Sequence, residues 1–216
     1  MLTRVFDCSR AEERETGLEE AAAAIRRGEL VVLPTDTVYG VAADAFSPAA
    51  VEVLLSAKGR NRMMPVPVLV ASAEMLDALV EALPESGRAL TDAFWPGALT
   101  VVVRHTPHLA WDLGETRGTV AVRMPNHELA RDLVGLTGPL AVSSANRSGY
   151  PAPTTMLDAR LQLGASVAVY LDGGPSGETL PSTIVDVTSD RSRVLREGAI
   201  SVERLREVDP DIEEAW

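Results

Sequence analysis

The chain has a single cysteine, Cys8, in 216 residues. That excludes an intramolecular disulfide and a cysteine-rich metal site. Cys8 has no evident activating partner and reads as an inert thiol, which fits a reducing cytosol. The N-terminal stretch Met1–Arg10 is mixed polar and lacks the apolar core of a secretory signal. Apolar runs such as Leu30–Pro34 and Val66–Ala71 are far too short to cross a bilayer. Standard signatures are missing as well. Neither G-x-x-x-x-G-K-[ST] nor G-x-G-x-x-G occurs. There is no H-E-x-x-H, and His105, His108 and His127 lack zinc-ligand spacing. No G-x-S-x-G elbow supports a hydrolase triad. Positive charge is scarce too: 20 Lys and Arg face 31 Asp and Glu, for a formal charge of −11. This disfavours a surface built to grip nucleic acid. It leaves room for a small basic pocket acting locally, because salt screens surface charge beyond about 8 Å.

Hydrophobic residues make up 46% of the chain, enough for a sizeable core. A single domain over residues 1–216 is expected. Strand-like apolar stretches alternate with helix-like ones. Helices are expected over Leu18–Arg27, Pro48–Lys58, Ala73–Leu83, Ser86–Phe94, His127–Leu136, Met156–Leu163 and Ser201–Glu207, the last with Ser201 as N-cap. Strands are expected over Leu30–Leu33, Val66–Ala71, Leu99–Arg104, Thr119–Met124, Leu140–Ser143, Val167–Leu171, Thr183–Val187 and Arg193–Arg196. Pro67 suggests an edge position or a bend for its strand. The pattern is α/β, with a mixed sheet of about six to eight strands flanked by helices. The acidic tail Asp209–Trp216 is expected to fray.

Four segments carry candidate chemistry. Pro34-Thr35-Asp36-Thr37-Val38-Tyr39-Gly40 follows a strand directly, where open α/β sheets bind ligands; a plain capped turn is the competing reading. Lys58-Gly59-Arg60-Asn61-Arg62 concentrates cations at a helix end. A lysine point charge beside a planar arginine fork suits phosphate. Complementing the helix C-terminus explains Lys58 alone, but not why the run continues past Gly59. Ser143-Ser144-Ala145-Asn146-Arg147-Ser148-Gly149 offers hydroxyls, an amide and backbone N–H groups after an apolar strand, or else a local turn. Pro181-Ser182-Thr183-Ile184-Val185-Asp186 precedes Arg193-Val194-Leu195-Arg196-Glu197-Gly198, which also reads as a hairpin with a solvated arginine. Together they suggest one pocket for a nucleotide-like anion, lined by Lys58, Arg60, Ser144, Asn146 and Arg196. Both Lys58 and Arg60 lie at a helix-to-loop junction, so their replacement is expected to cost little stability.

The segments P-T-D-T-V-Y-G, A-K-G-R, W-P-G-A-L-T, T-V-A-V-R-M-P, S-S-A-N-R-S-G, P-S-T-I-V-D and V-L-R-E-G occur in this order. Each alone is weak; the series closely resembles the YrdC/Sua5 family of threonylcarbamoyl-AMP synthases, over nearly the whole chain. The resemblance is to the short, single-domain form. It implies a twisted mixed β-sheet flanked by helices, with a large basic cavity. It implies a nucleotidyltransferase that turns ATP, L-threonine and bicarbonate into threonylcarbamoyl-AMP and pyrophosphate. The product serves N6-threonylcarbamoylation of tRNA adenosine 37 by a downstream transferase complex, so that contact with tRNA is indirect. A cytoplasmic place, no membrane partner, and Mg²⁺ carried mainly by the ATP phosphates are also implied.

On matching positions, the resemblance assigns Lys58 and Arg60 to the ATP phosphates and to catalysis. Thr119, Ser144, Asn146 and Arg196 fall to the nucleotide. Thr37, Arg123, Ser182 and a backbone group of Val142 fall to threonine. Family members often carry an N-P-L-I-V-H-like stretch where this chain has Met64-Pro65-Val66-Pro67-Val68-Leu69. Met64 and Leu69 lack the polar contacts of that Asn and His, and Ala152 stands where a Ser is usual. Asn61 and Arg62 are candidates to compensate. Two other readings stay open: a paralogue acting as another carbamoyl-adenylating enzyme, and an RNA-binding module.

Overall fold

The structure is a computed structural model describing residues 3–177 and 180–214. The elements run β1 (Arg4–Asp7), α1 (Ala11–Arg26), β2 (Val31–Leu33), β3 (Gly40–Asp44), α2 (Pro48–Lys58), β4 (Val68–Leu69), α3 (Ala73–Leu79) and α4 (Glu85–Phe94). They continue β5 (Leu99–Arg104), β6 (Thr119–Arg123), α5 (Glu128–Thr137), β7 (Leu140–Ser144), α6 (Met156–Leu163) and β8 (Val169–Asp172). The chain closes with β9 (Thr183–Asp186), β10 (Arg193–Arg196), α7 (Val202–Arg206) and β11 (Glu213–Glu214). One 11-stranded sheet joins them in the order β1-β8-β2-β3-β7-β4-β6-β5-β9-β10-β11. It is mixed, as expected: β2 is parallel to β8 and antiparallel to β3, for example.

Alternation along the strands feeds two apolar layers, because successive side chains leave opposite faces of a sheet. Val31 and Leu33 join Leu18, Ala21 and Ile25 of α1 and Leu129, Leu133 and Val134 of α5. Val32 turns to the other face, with Leu54 and Leu55 of α2, Leu90 of α4, Leu163 of α6 and Leu205 of α7. Each fully buried leucine contributes about 1.5–3 kcal/mol of transfer free energy.

Helix ends follow local chemistry. The Ser47 side chain accepts from the Ala50 N–H at 3.3 Å, Pro48 opens α2, and Gly59 closes it at φ 65, a left-handed conformation that glycine adopts without strain. Ser201 caps α7 by accepting from the Arg204 N–H. Helix α1 starts earlier than the apolar pattern suggests, because its exposed first turns are rich in good helix formers, with Glu12 and Glu13 at the positive end.

Three strand expectations need correction. Among the described residues the sheet has 11 strands rather than about six to eight. Strand β3 was unrecognised: Gly40, Ala42 and Ala43 have low strand propensity, and pairing with β2 and β7 on both sides overrides it. Strand β4 is central, not an edge, since Val68 pairs with both Val122 and Ala141. Pro67 sits just outside it, where a missing N–H costs nothing, and its carbonyl accepts from the Val142 N–H at 2.8 Å. The tail is also more ordered than its acidity suggests: Ile212 is buried and Glu213–Glu214 pairs with β10. Ala215 and Trp216 lie outside the described residues.

Candidate functional site

Two polar clusters form where loops leave the central strands. The first is built on the end of α2 and the end of β7. Lys58, the only lysine in the chain, is 1% exposed. Its Nζ donates to the Ser144 carbonyl, to the Asn146 carbonyl at 2.7 Å and to Asn146 Oδ1 at 3.4 Å. Its own carbonyl accepts from the Ser148 N–H at 2.9 Å. Lys58 therefore holds the Ser144–Ser148 loop by both of its ends. Burial and the neighbouring Arg60 charge push the ammonium down to about 7. The carbonyls pull the other way. An ammonium has three N–H donors and finds three acceptors, whereas a neutral amine would turn its lone pair toward a carbonyl. The cage fits the charged form.

Arg60 follows the helix cap. Its Nη1 donates to Ser143 Oγ at 3.2 Å, and its buried Nε has no partner among the described residues. The Asn146 amide is spent within its loop, donating to the Arg147 and Tyr150 carbonyls at 3.0 and 2.7 Å. Asn146 thus shapes the loop with its side chain, and Ser144 does so with its carbonyl.

The second cluster joins β5, β6, β9 and the loop after β2. Arg123 is buried and spends three donors: Nε on the Gly97 carbonyl at 2.9 Å, Nη1 on Thr37 Oγ1 at 2.9 Å and Nη2 on Asp36 Oδ1 at 2.7 Å. Ser182 Oγ lies 2.8 Å from Thr100 Oγ1. Arg196 clasps the Ser182 carbonyl with Nη2 at 2.7 Å and Nε at 3.2 Å. Burial lowers the Arg196 pKa, and the charges of Arg123 and Arg60 lower it further. Arg196 thus electrically links the two clusters. Among the described residues, Lys58, Arg60 and Arg196 form no salt bridge; Arg123 alone has a carboxylate, Asp36. Lys58 is buried, Arg60 half-buried and Arg196 exposed; a buried cation without a counter-ion is costly unless an anion arrives.

Not every assigned residue joins these clusters. Thr119 shares a strand face with Arg123 but stands four residues away, about 13 Å along β6. Its hydroxyl donates to the Thr116 carbonyl at 2.8 Å. The Val142 N–H is spent on Pro67. Arg62 and Asn61, the candidates to compensate, have protein partners of their own. Arg62 pairs with Asp112 and Glu52, and Asn61 Oδ1 accepts from the Met63 N–H. Met64 is exposed and Leu69 is packed under the sheet. Two cavities, of about 760 and 350 Å³, are lined by none of the assigned residues: Arg147 and Gln162 line the first, and the second reaches the Arg123 cluster through Asp36 and Gly97. Burial pushes the Cys8 thiol up to about 11, which keeps it protonated and unreactive.

Sequence reasoning passed over Thr35, Asp36, Gly97 and Thr100. Thr100 had a signal: one hydroxyl in the otherwise apolar run Leu99–Val103, and it is 3% exposed. Gly198 had none. A Cβ there would stand 2.2 Å from the Pro181 carbonyl oxygen and 2.7 Å from that of Ser182. Gly198→Ala must therefore shift the segment that places Ser182 under Arg196. A loss of about 2 kcal/mol or more in chemical denaturation is expected; an unchanged midpoint would contradict this packing.

Comparisons with known proteins agree with this architecture. The sequence profile of the Sua5/YciO/YrdC family, described as "Telomere recombination", matches residues 23–198. The chain is 55% identical over 207 residues to a Mycobacterium tuberculosis protein with a provisional assignment as a threonylcarbamoyl-AMP synthase, covering 96% of this chain and 95% of that one. It is 39% identical to the threonylcarbamoyl-AMP synthase of Bacillus subtilis, over 88% of this chain and 56% of that longer one. The crystal structure of Pyrococcus abyssi Sua5 complexed with L-threonine superposes with a TM-score of 0.92 at 34% identity, over 100% of this chain and 63% of that one. Escherichia coli YciO shares the fold, with a TM-score of 0.80 at 21% identity over 94% of this chain and 98% of that one. The chain belongs to the Sua5/YciO/YrdC family.

Proposed function

We propose that this protein is an L-threonylcarbamoyladenylate synthase, making threonylcarbamoyl-AMP and pyrophosphate from ATP, L-threonine and bicarbonate. One observation carries the reading. Lys58, Arg60 and Arg196 are gathered with no carboxylate partner among the described residues, beside Arg123, which Asp36 neutralises and which donates to Thr37. The first set suits a polyphosphate and the second an amino acid. The names of the relatives support the same pairing of substrates.

In this reading Arg60 and Arg196 meet the ATP phosphates with their spare N–H groups. Lys58 lends its charge there and shapes the Ser144–Asn146 loop around the nucleotide, with Thr119 further along β6. Arg123, Thr37, Ser182 and the Val142 backbone surround threonine. Bicarbonate and the threonine amine condense to a carbamate with loss of water. A carbamate oxygen then attacks the α-phosphorus and pyrophosphate leaves. No covalent enzyme intermediate is needed; the chain contributes positioning and charge stabilisation. The cations and the loop around them would form the basic cavity of this family.

Among the described residues, no group of three His, Cys, Asp or Glu side chains is placed to hold a metal ion. We place Mg²⁺ on the ATP phosphates, where it keeps most of its waters and needs few protein ligands. No helix among the described residues is long and apolar enough to cross a membrane. We place the enzyme in the cytoplasm, upstream of a transferase complex that handles the tRNA.

Threonine dependence of pyrophosphate release tests the reading. A relative that adenylates another carbamoyl group would release pyrophosphate without threonine, and an RNA-binding module would release none. Arg123→Ala is expected to raise the threonine KM by about 10–100-fold, the worth of a charged hydrogen bond. The ATP KM should move less than the threonine KM. An unchanged threonine KM would remove Arg123 from that role.

A further inference from the structure

We infer that Thr35 and Asp36 are positioning residues that set the polarity of the threonine pocket, Asp36 holding Arg123 as a donor and Thr35 fixing Thr37 as an acceptor. This rests on the reading above, in which Arg123 and Thr37 meet threonine.

Counting protons gives the polarity. Thr35 Oγ1 lies 2.7 Å from the Val38 carbonyl, which has no proton to give, so the single Thr35 hydroxyl proton goes there. Toward every other neighbour Thr35 Oγ1 is then an acceptor. Its two lone pairs are shared by three long contacts, the N–H groups of Thr37 and Val38 at 3.2 and 3.3 Å and the Thr37 hydroxyl. Thr35 has no second proton, and among the described residues the Thr37 hydroxyl has no other protein acceptor, so the 3.1 Å contact between Thr35 Oγ1 and Thr37 Oγ1 is bridged by the Thr37 proton. The Thr37 hydroxyl has now spent its proton. One of its lone pairs receives Arg123 Nη1 at 2.9 Å. A single lone pair remains, so Thr37 can only accept from a ligand.

Asp36 completes the pattern from the other side. Its Oδ1 takes Arg123 Nη2 at 2.7 Å, and it is the group that favours the charged guanidinium against burial. Three of five Arg123 N–H donors are spent on Gly97, Thr37 and Asp36, which leaves two for a carboxylate. Thr35 and Thr37 are 5% and 1% exposed, so water does not scramble this wiring.

The pocket thus presents donors to a carboxylate and one acceptor to an amine or hydroxyl. An amine N–H held by Thr37 leaves the nitrogen lone pair directed elsewhere, free to form the C–N bond as bicarbonate loses water.

The test separates orientation from folding. Steady-state KM values for threonine and ATP are measured for the wild type, Thr35→Val, Thr35→Ser, Asp36→Ala and Asp36→Asn. Thr35→Val should raise the threonine KM by about tenfold, the effect of a misdirected buried hydrogen bond. Thr35→Ser, which keeps the hydroxyl, should stay within about twofold of wild type. Asp36→Ala should raise it more than tenfold, and Asp36→Asn, which keeps the acceptor, by an intermediate factor. The ATP KM should hold within about twofold throughout, since among the described residues neither side chain bonds Lys58, Arg60 or Arg196. Should Asp36→Ala fail to fold, Asp36→Asn decides. Wild-type threonine KM values in Thr35→Val and Asp36→Asn would overturn the inference while leaving the synthase reading intact. A wild-type enzyme indifferent to threonine would overturn both.

Discussion

Arg60→Ala is expected to lower threonylcarbamoyl-AMP formation by about 10²–10³-fold with little loss of stability, as removal of a preorganised charge on a developing anion does elsewhere. Among the described residues Arg60 makes one side-chain hydrogen bond, to Ser143 Oγ, and its buried Nε has no partner. Burial already lowers its pKa. The folded chain gains little from this guanidinium, so its stabilising partner must come from outside. Rapid-quench assay of the adduct, alongside thermal unfolding, checks both halves. Near-normal activity would remove Arg60 from the phosphates; a large drop in Tm would make it structural.

Lys58→Met is expected to lose activity to a similar degree and, in contrast, to destabilise the chain. The Ser144 carbonyl and both Asn146 oxygens would lose their donor in a buried place. Stranded polar groups and a broken buried charge network cost about 3 kcal/mol together. For a chain of this size that is a Tm decrease on the order of 6–12 °C. Calorimetry on both variants is the comparison: Arg60→Ala near wild type, Lys58→Met well below it. Equal Tm values would mean that the carbonyl cage contributes nothing. Position in sequence alone suggests that both residues are cheap to replace, since each sits at a helix-to-loop junction. The difference appears only when the Ser144–Ser148 loop folds back over the helix end.

The same contrast runs through the molecule. Helix α2 was legible to the residue because Ser47, Pro48 and Gly59 each carry a local instruction. Strands β5, β6, β7 and β10 were legible because their apolar runs are bounded by turns. Strand β3 was not, because Gly40–Asp44 takes its conformation from β2 and β7 on either side rather than from its own residues. Strands β1 and β11 were missed for a related reason: they are short, charged edges whose pairing with β8 and β10 is long-range.

In the site, charged and hydroxyl residues at strand ends announce themselves by type. What each one holds does not. Arg62 resembles Arg60 in sequence, yet it is taken by Asp112 and Glu52. Asp36 looks like a turn-capping residue, yet its partner is Arg123, 87 positions away. Such partners are set by the sheet order, which brings β6 beside β4 and β5 beside β9, and that order follows from whole-chain packing.

The most direct test supplies purified protein with Mg²⁺-ATP, L-threonine and ¹³C-bicarbonate and follows the adduct by mass spectrometry. The account predicts a threonylcarbamoyl-adenylate that carries the label, with one pyrophosphate released per adduct and no adduct when threonine is omitted. Unlabelled adduct, or pyrophosphate release indifferent to threonine, would contradict it.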